Sequence, residues 1–333
     1  MAERRHGYLG QSLGASPSDN RLRRSAFSLP RNDSGRSGDR SRRAGGSLMS
    51  LNIQHLRDGF ASEATGIDLR QSQDDATKEA LYKTFAERSV LVIRDQKLDP
   101  AEFLDVSRIF GSPMLQSLEQ FRVPECPMVG FISSRDKGTS GKKITRGSNW
   151  HTDHSHTETP PRATILHAVT LPSQGGDTQF ASMHLIYDAL SKEQQTLMDQ
   201  INCLHIWMSR RCPRPMPPAE DGFDPRYWHP LVRTNPDTGR KAIYMNTARI
   251  DEFQGVDLEE GFDMLDLLMD MADKPDFEYR HKWEDGDVVI WDNRAILHQA
   301  NGDYGDEYRY LYRIIIEGEP VLNANGEKLG EAA

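Results

Sequence analysis

The sequence predicts an α+β domain, a jelly-roll sheet core with flanking helices, on three observations. The two clearest strands, 286–291 (GDVVIW) and Tyr310–Ile316 (YLYRIII), come late, in a half of the chain where strands outnumber helices. Helical periodicity gathers instead near the start and in the middle. No GxGxxG or GxxxxGK[ST] stretch marks a parallel nucleotide-binding sheet, and no internal repeat marks a solenoid. A double-sheet core with helices packed outside satisfies all three.

Residues 1–48 carry ten arginines against four acids, a charge of +6 within a chain of net charge −9, which leaves −15 for the remainder. Rich in Arg, Ser and Gly, this segment cannot bury enough surface to offset chain entropy and reads as a disordered basic extension. A solvated tail or upstream extension before a start at Met49, a transit peptide, or a basic binding arm would each look like this. Residues 49–333 read as a single domain. Asp75–Arg88 places Leu81, Tyr82 and Phe85 at helical spacing, and 89–93 (SVLVI) follows as a buried strand. Asp99-Pro100 opens a second helix with Phe103, Leu104, Ile109 and Phe110 on its inner side. Residues 163–171 (ATILHAVTL) read as strand and 182–201 as one helix.

The acidic body argues against nucleic acid as a partner, since phosphate neutralisation needs clustered Lys and Arg. No apolar run approaches the roughly 18 residues of a membrane span. Cys126, Cys203 and Cys212 form no CxxC pair, which suits a reducing cytoplasm rather than a disulfide framework or thiolate zinc site.

The densest chemistry lies in Asn149-Trp-His-Thr-Asp-His-Ser-His156. In extended chain His151 and Asp153 share a face, while His154 and His156 point away unless the backbone turns. An oxygen-activating iron needs two imidazoles and one carboxylate on one face of its octahedron. His298, in a loop after the strand 286–291 and the turn Asp292-Asn-Arg294, is the best third ligand. His167 and His205 sit in apolar stretches and read as buried, hydrogen-bonded core histidines. Arg309 and Arg313 are four residues apart on the last strand, so Arg309, Leu311 and Arg313 share one face and Tyr310, Tyr312 and Ile314 the other. An inward arginine needs a partner, and a guanidinium suits a carboxylate or sulfonate. Gly175-Gly176-Asp177-Thr178 closes a turn in which Thr178 offers a hydroxyl.

From about Leu51 to Val321 the order of motifs resembles the taurine dioxygenase and 2,4-D dioxygenase (TauD/TfdA) family of Fe(II)- and 2-oxoglutarate-dependent enzymes. The resemblance runs through Val92-Ile-Arg-Asp-Gln96, Trp150-His-Thr-Asp153, Glu158-Thr-Pro-Pro161, Leu171-Pro-Ser-Gln-Gly-Gly-Asp-Thr178 and Ile290-Trp-Asp-Asn-Arg294. It implies a double-stranded β-helix with His151, Asp153 and His298 as iron ligands. Arg309 and Thr178 would meet the distal carboxylate of 2-oxoglutarate, and Arg313 the anionic group of a small organic substrate. The implied reaction consumes O2 and yields succinate, CO2 and a hydroxylated product. Gly147 stands where the taurine enzymes place an asparagine that holds the substrate amine, and Gln116 replaces their upstream substrate-binding histidine. Trp207 falls at an aromatic wall of the substrate pocket, and His154 lines the same pocket. The family also implies a homo-oligomer. Two rival readings remain: a zinc hydrolase, which would make His154 and His156 essential and Arg309 dispensable, and a non-catalytic small-molecule-binding protein on the same fold.

Overall fold

The computed structural model describes residues 50–116, 118–136, 145–213 and 225–328; the extension 1–48 and its three readings lie outside them. A short pair, β1 (Asn52–His55) and β2 (Ser62–Thr65), precedes helix α1 (Asp75–Arg88). Asp74 caps α1 by accepting from the Thr77 amide, and Leu81, Phe85 and Ala86 form its buried stripe. The helix stops where Ser89 turns left-handed (φ 61°) and its N–H bonds back to the Phe85 carbonyl. Strand β3 (Val90–Ile93) therefore starts after Ser89, which is a cap rather than a strand residue. Helix α2 (Pro100–Ser107) opens on a capping box between Asp99 and Glu102. It ends before Ile109 and Phe110, so the buried Phe110 packs from the turn after the helix, not from its inner side.

Four strands follow: β4 (Pro113–Met114), β5 (Arg122–Val123), β6 (Cys126–Ser133) and β7 (Ala163–Thr170). The single helix expected over 182–201 is instead the end of β8 (Thr178–Ser182) and two helices, α3 (Met183–Ala189) and α4 (Lys192–Met198). The break has a local cause, because Ser191 and Gln194 form a second capping box that starts a new helix. Four strands come next, β9 (Asn202–Ile206), β10 (Arg226–Pro230), β11 (Val232–Thr234) and β12 (Lys241–Ile243). After β13 (Ile250–Gln254), helix α5 (Leu258–Ala272) went unforeseen, although Gly261, Met264, Leu265, Leu268 and Ala272 bury one stripe at helical spacing. The last strands are β14 (Glu278–His281), β15 (Val288–Asp292), β16 (Ile296–Ala300) and β17 (Tyr310–Ile316). Gly286 is a left-handed turn residue (φ 82°) ahead of β15, not its first residue.

Among the described residues the large sheet runs β1-β2-β3-β15-β7-β17-β6-β5, with β4 also paired to β17, and the smaller facing sheet runs β14-β8-β16. Apart from the parallel β2–β3 contact, the pairings within these two sheets are antiparallel. The central strands are apolar on both faces because both are covered, and their residues alternate with period two. Leu91, Ile93, Ile165, Val288, Ile290 and Ile314 pack beneath α1 and α2 against Leu81, Phe85 and Phe103. Val90, Val92, Leu166, Val289, Trp291 and Leu311 face the other way and meet Phe180 of β8 and Ile296 of β16. This inter-sheet layer is the interior of a double-stranded β-helix. No helix of the described residues is long and apolar enough to cross a membrane.

Candidate active site

Strand pairing explains why two distant histidines meet. His151 and His298 exchange both backbone hydrogen bonds, 3.1 Å and 2.9 Å, as directly opposed residues of an antiparallel pair. Opposed residues project side chains on one face, and the two imidazole centroids lie 4.1 Å apart. His298 is a residue of β16 rather than of a loop, which gives it a sheet-fixed direction. Asp153 completes the group: its carboxylate oxygens lie 3.8 Å from His151 Nε2 and 4.0 Å from His298 Nε2. Ligand atoms of these three residues fall within 4.8 Å of one another, and no other such cluster occurs among the described residues. His154 and His156 are outside it. The chain turns after Asp153, with His154 left-handed at φ 47°, so alternation of faces ends there.

Burial and neighbouring charge act on two of the three donors. Burial drives His298 well below the usual imidazole range, which keeps it neutral. Burial works to raise the Asp153 carboxyl, but the Arg313 guanidinium and the neighbouring His298, His151 and His154 rings together outweigh it and hold the group well below the usual carboxylate range. His151 Nδ1–H donates to the Asn149 carbonyl at 2.7 Å, which leaves Nε2 with its lone pair toward the cluster. Thr164 of β7 donates to Asp153 Oδ2 at 2.6 Å and accepts from Asn293 Nδ2 at 3.0 Å. Asn293 in turn accepts from the Trp291 indole at 3.1 Å, and that ring packs 4.6 Å from His298. Sequence reading missed Thr164 and Asn293 as supports of the site. Asn293 lay inside the motif Ile290-Trp-Asp-Asn-Arg294, but Thr164 carried no local signal.

Arg309 lies one residue ahead of β17 and is buried. Its Nε has no hydrogen-bond partner, and no carboxylate among the described residues pairs with it. Burial pushes this guanidinium down to about 10, more than the opposing fields of Tyr304 and Asp177 make up. Trp283, another residue missed in the sequence, faces the guanidinium at 5.7 Å and donates its indole N–H to Thr178 Oγ1 at 3.0 Å, linking the two residues. Gly176 is left-handed (φ 73°), and a Cβ there would meet Arg309 Cδ and Nε at 3.1 Å, so the glycine turn makes room for the arginine.

Leu311 belongs to the inter-sheet layer, as does Trp283 beside Arg309, and Arg313 reaches inward to Asp153 at 2.8 Å. The shared inner face therefore holds, although the pairing of β17 with β7 slips between Tyr310 and Leu311. Gln116 sits near Arg313: its Cγ would lie 3.5 Å from a Cβ on Gly130, the residue opposite Arg313 on β6. His154 is half-buried beside the cluster, its ring 5.8 Å from that of His156, and His156 meets the edge of Trp207 at 4.9 Å. His167 is hydrogen-bonded as expected, to the Leu98 amide and the Asp287 carbonyl. His205 is not, since both its ring nitrogens lack partners and it is packed instead against the rings of His229 and Tyr244.

Comparison with known proteins points one way. The model of the family described as "Taurine catabolism dioxygenase TauD, TfdA family" matches residues 52–315. An alkylsulfatase of Acinetobacter baylyi is 28% identical over 84% of this chain and 88% of its own. An alpha-ketoglutarate-dependent 2,4-dichlorophenoxyacetate dioxygenase of Cupriavidus pinatubonensis is 30% identical over 76% of this chain and 92% of its own. The crystal structure of a taurine dioxygenase from Burkholderia xenovorans superposes with a TM-score of 0.71 at 30% identity, covering 85% of this chain and 96% of that one.

Proposed function

The chain belongs to the TauD, TfdA family of 2-oxoglutarate-dependent non-haem iron dioxygenases, and on that footing we propose that it hydroxylates a small anionic organic substrate, a sulfonate, sulfate ester or carboxylate. The observation that carries this reading is the Arg313 guanidinium 2.8 Å from Asp153, so that an anion bound to Arg313 would sit beside the metal group. The named activities of the relatives span these same anion classes: the alkylsulfatase, the aryloxyacetate dioxygenase and the taurine dioxygenase.

In this reading His151, Asp153 and His298 hold Fe(II), two imidazoles and one carboxylate on a common face. The metal, when bound, supplies the chemistry of O2 and of 2-oxoglutarate decarboxylation. The chain's own residues orient the reactants. Thr164 fixes one Asp153 oxygen and Asn149 fixes the His151 ring. Arg309, buried with its Nε unpartnered, takes the distal carboxylate of 2-oxoglutarate with help from the Thr178 hydroxyl. Arg313 sets where the substrate lies, with Gln116, His154 and Trp207 around it.

Gly147 bears on substrate identity. It is left-handed (φ 70°), and a Cβ there would press on His151 Cε1 at 2.9 Å, so this backbone offers no side chain to hold a substrate amine. An anion without an amino group therefore fits better than taurine. The test is succinate release under O2 with a panel of sulfonates, sulfate esters and carboxylates. Arg313→Gln should raise KM for the active substrate while leaving that for 2-oxoglutarate near wild type; an equal loss for both would refute the division of roles between the arginines.

A further inference from the structure

Beyond the metal group and Arg313 lies a second basic element that the proposed chemistry does not use. The Arg249 guanidinium stacks over the Trp207 ring at 4.6 Å, and the His156 ring meets the same ring edge to face at 4.9 Å. The Ile206 amide bonds to the Arg249 carbonyl at 2.9 Å, fixing Arg249 beside the end of β9 where Trp207 begins. Arg249 Nη1 and His156 Nδ1 are both buried without a hydrogen-bond partner. Among the described residues Arg249 forms no ion pair with a carboxylate, and the group that opposes the effect of burial on it is the Cys212 thiol. Burying a guanidinium is costly unless something neutralises it.

Ring contacts give the order of these groups. His154 follows Asp153 in the chain and lies 5.8 Å from His156, His156 lies 4.9 Å from Trp207, and Trp207 lies 4.6 Å beneath Arg249. Arg313 therefore stands at Asp153 and Arg249 at the far end of the row His154, His156, Trp207. Two cations set apart, with an aromatic face at the outer one, match a molecule that carries an acceptor at each end.

We propose that the substrate bears a second oxyanion, bound by Arg249 and His156 over Trp207, while its first is held at Arg313. This rests on the anionic-substrate reading above and narrows it to a dianion. A forked guanidinium braced on an aromatic ring accepts a carboxylate, sulfonate or sulfate with little further loss of freedom.

The experiment is anaerobic binding to the full chain loaded with Fe(II) and 2-oxoglutarate, read by equilibrium dialysis. The probes are alkyl monosulfonates and the α,ω-disulfonates of the same chain lengths, from ethane to octane, with the matching mono- and dicarboxylates. At one chain length the dianion should bind about tenfold or more tightly than its monoanion. Arg249→Gln should erase that preference, and Arg249→Lys, which keeps the charge without the fork, should retain part of it. If no dianion outbinds its monoanion at any length, or the preference survives Arg249→Gln, the second site is overturned. Arg313→Gln separates the two ideas. Weaker monoanion binding in that variant, without any dianion preference in the wild type, sinks only the second site; unchanged monoanion binding, or no binding by any probe, sinks the anionic-substrate reading itself.

Discussion

Arg309 and Asp153 are opposite cases of a buried charge, and each exposes a dependence that one substitution can read. Asp153 is satisfied three ways, by Thr164, by Arg313 and by its histidine neighbours. Arg309 forms no ion pair among the described residues, and its buried Nε has no hydrogen-bond partner. Replacing Arg309 by Gln should weaken 2-oxoglutarate binding by about ten- to a hundredfold, the usual value of charge-assisted hydrogen bonds; an unchanged KM for 2-oxoglutarate would remove Arg309 from the co-substrate site. Thr164→Val deletes the 2.6 Å bond to Asp153 with little change in shape. Losing such a support for a metal ligand should reduce Fe(II) affinity by about ten- to a hundredfold, measured by chelator competition, and full wild-type affinity would mean that Thr164 plays no part. His151, Asp153, Arg309 and Arg313 were legible in the sequence because two short spacings and one cluster carry them. Thr164 and Trp283 were not, because their partners lie 11 and 105 residues away and only the sheet register brings them together.

Helix boundaries follow local chemistry wherever a cap is present. Asp74, Asp99, Ser182, Ser191 and Asp257 each accept from an amide in the first turn of the helix that they start. Ser191 was overlooked in the sequence because the apolar pattern continues across it, so two helices read as one. Ser191→Ala should lower unfolding free energy by about 1 kcal/mol in urea titration with kcat intact, and a loss near zero would show that the break does not depend on this cap. The central strands of the large sheet were legible, since a run apolar on both faces, such as Val90–Ile93, fits a covered central strand, whereas shorter strands such as β16 (Ile296–Ala300) were not. The slip between Tyr310 and Leu311 was invisible, because a bulge leaves no mark in a pattern of alternating residues.

For the molecule as a whole, the metal group borders the inter-sheet apolar layer, with His298 against Trp291 and opposite Phe180, and the family match over 52–315 accounts for nearly all of the described chain. We propose that 49–333 is a single dioxygenase domain. Buried histidines give this body a pH-dependent stability. Burial pushes His184 and His229 down to about 4 from an ordinary 6.5. Between those values the unfolded chain takes up protons that the folded chain refuses, so stability is full above 6.5 and falls as the pH drops toward about 4. Melting temperature should therefore decline steadily across that window; a flat profile would mean that these rings are solvated. The most direct measurement on the site is anaerobic titration of Fe(II) and 2-oxoglutarate into the wild-type protein and Asp153→Ala, followed by exposure to O2. A visible charge-transfer band and substrate-stimulated succinate should appear in the wild type and vanish in the variant. An undiminished band and wild-type succinate in Asp153→Ala would contradict the assignment of His151, Asp153 and His298 as the iron site.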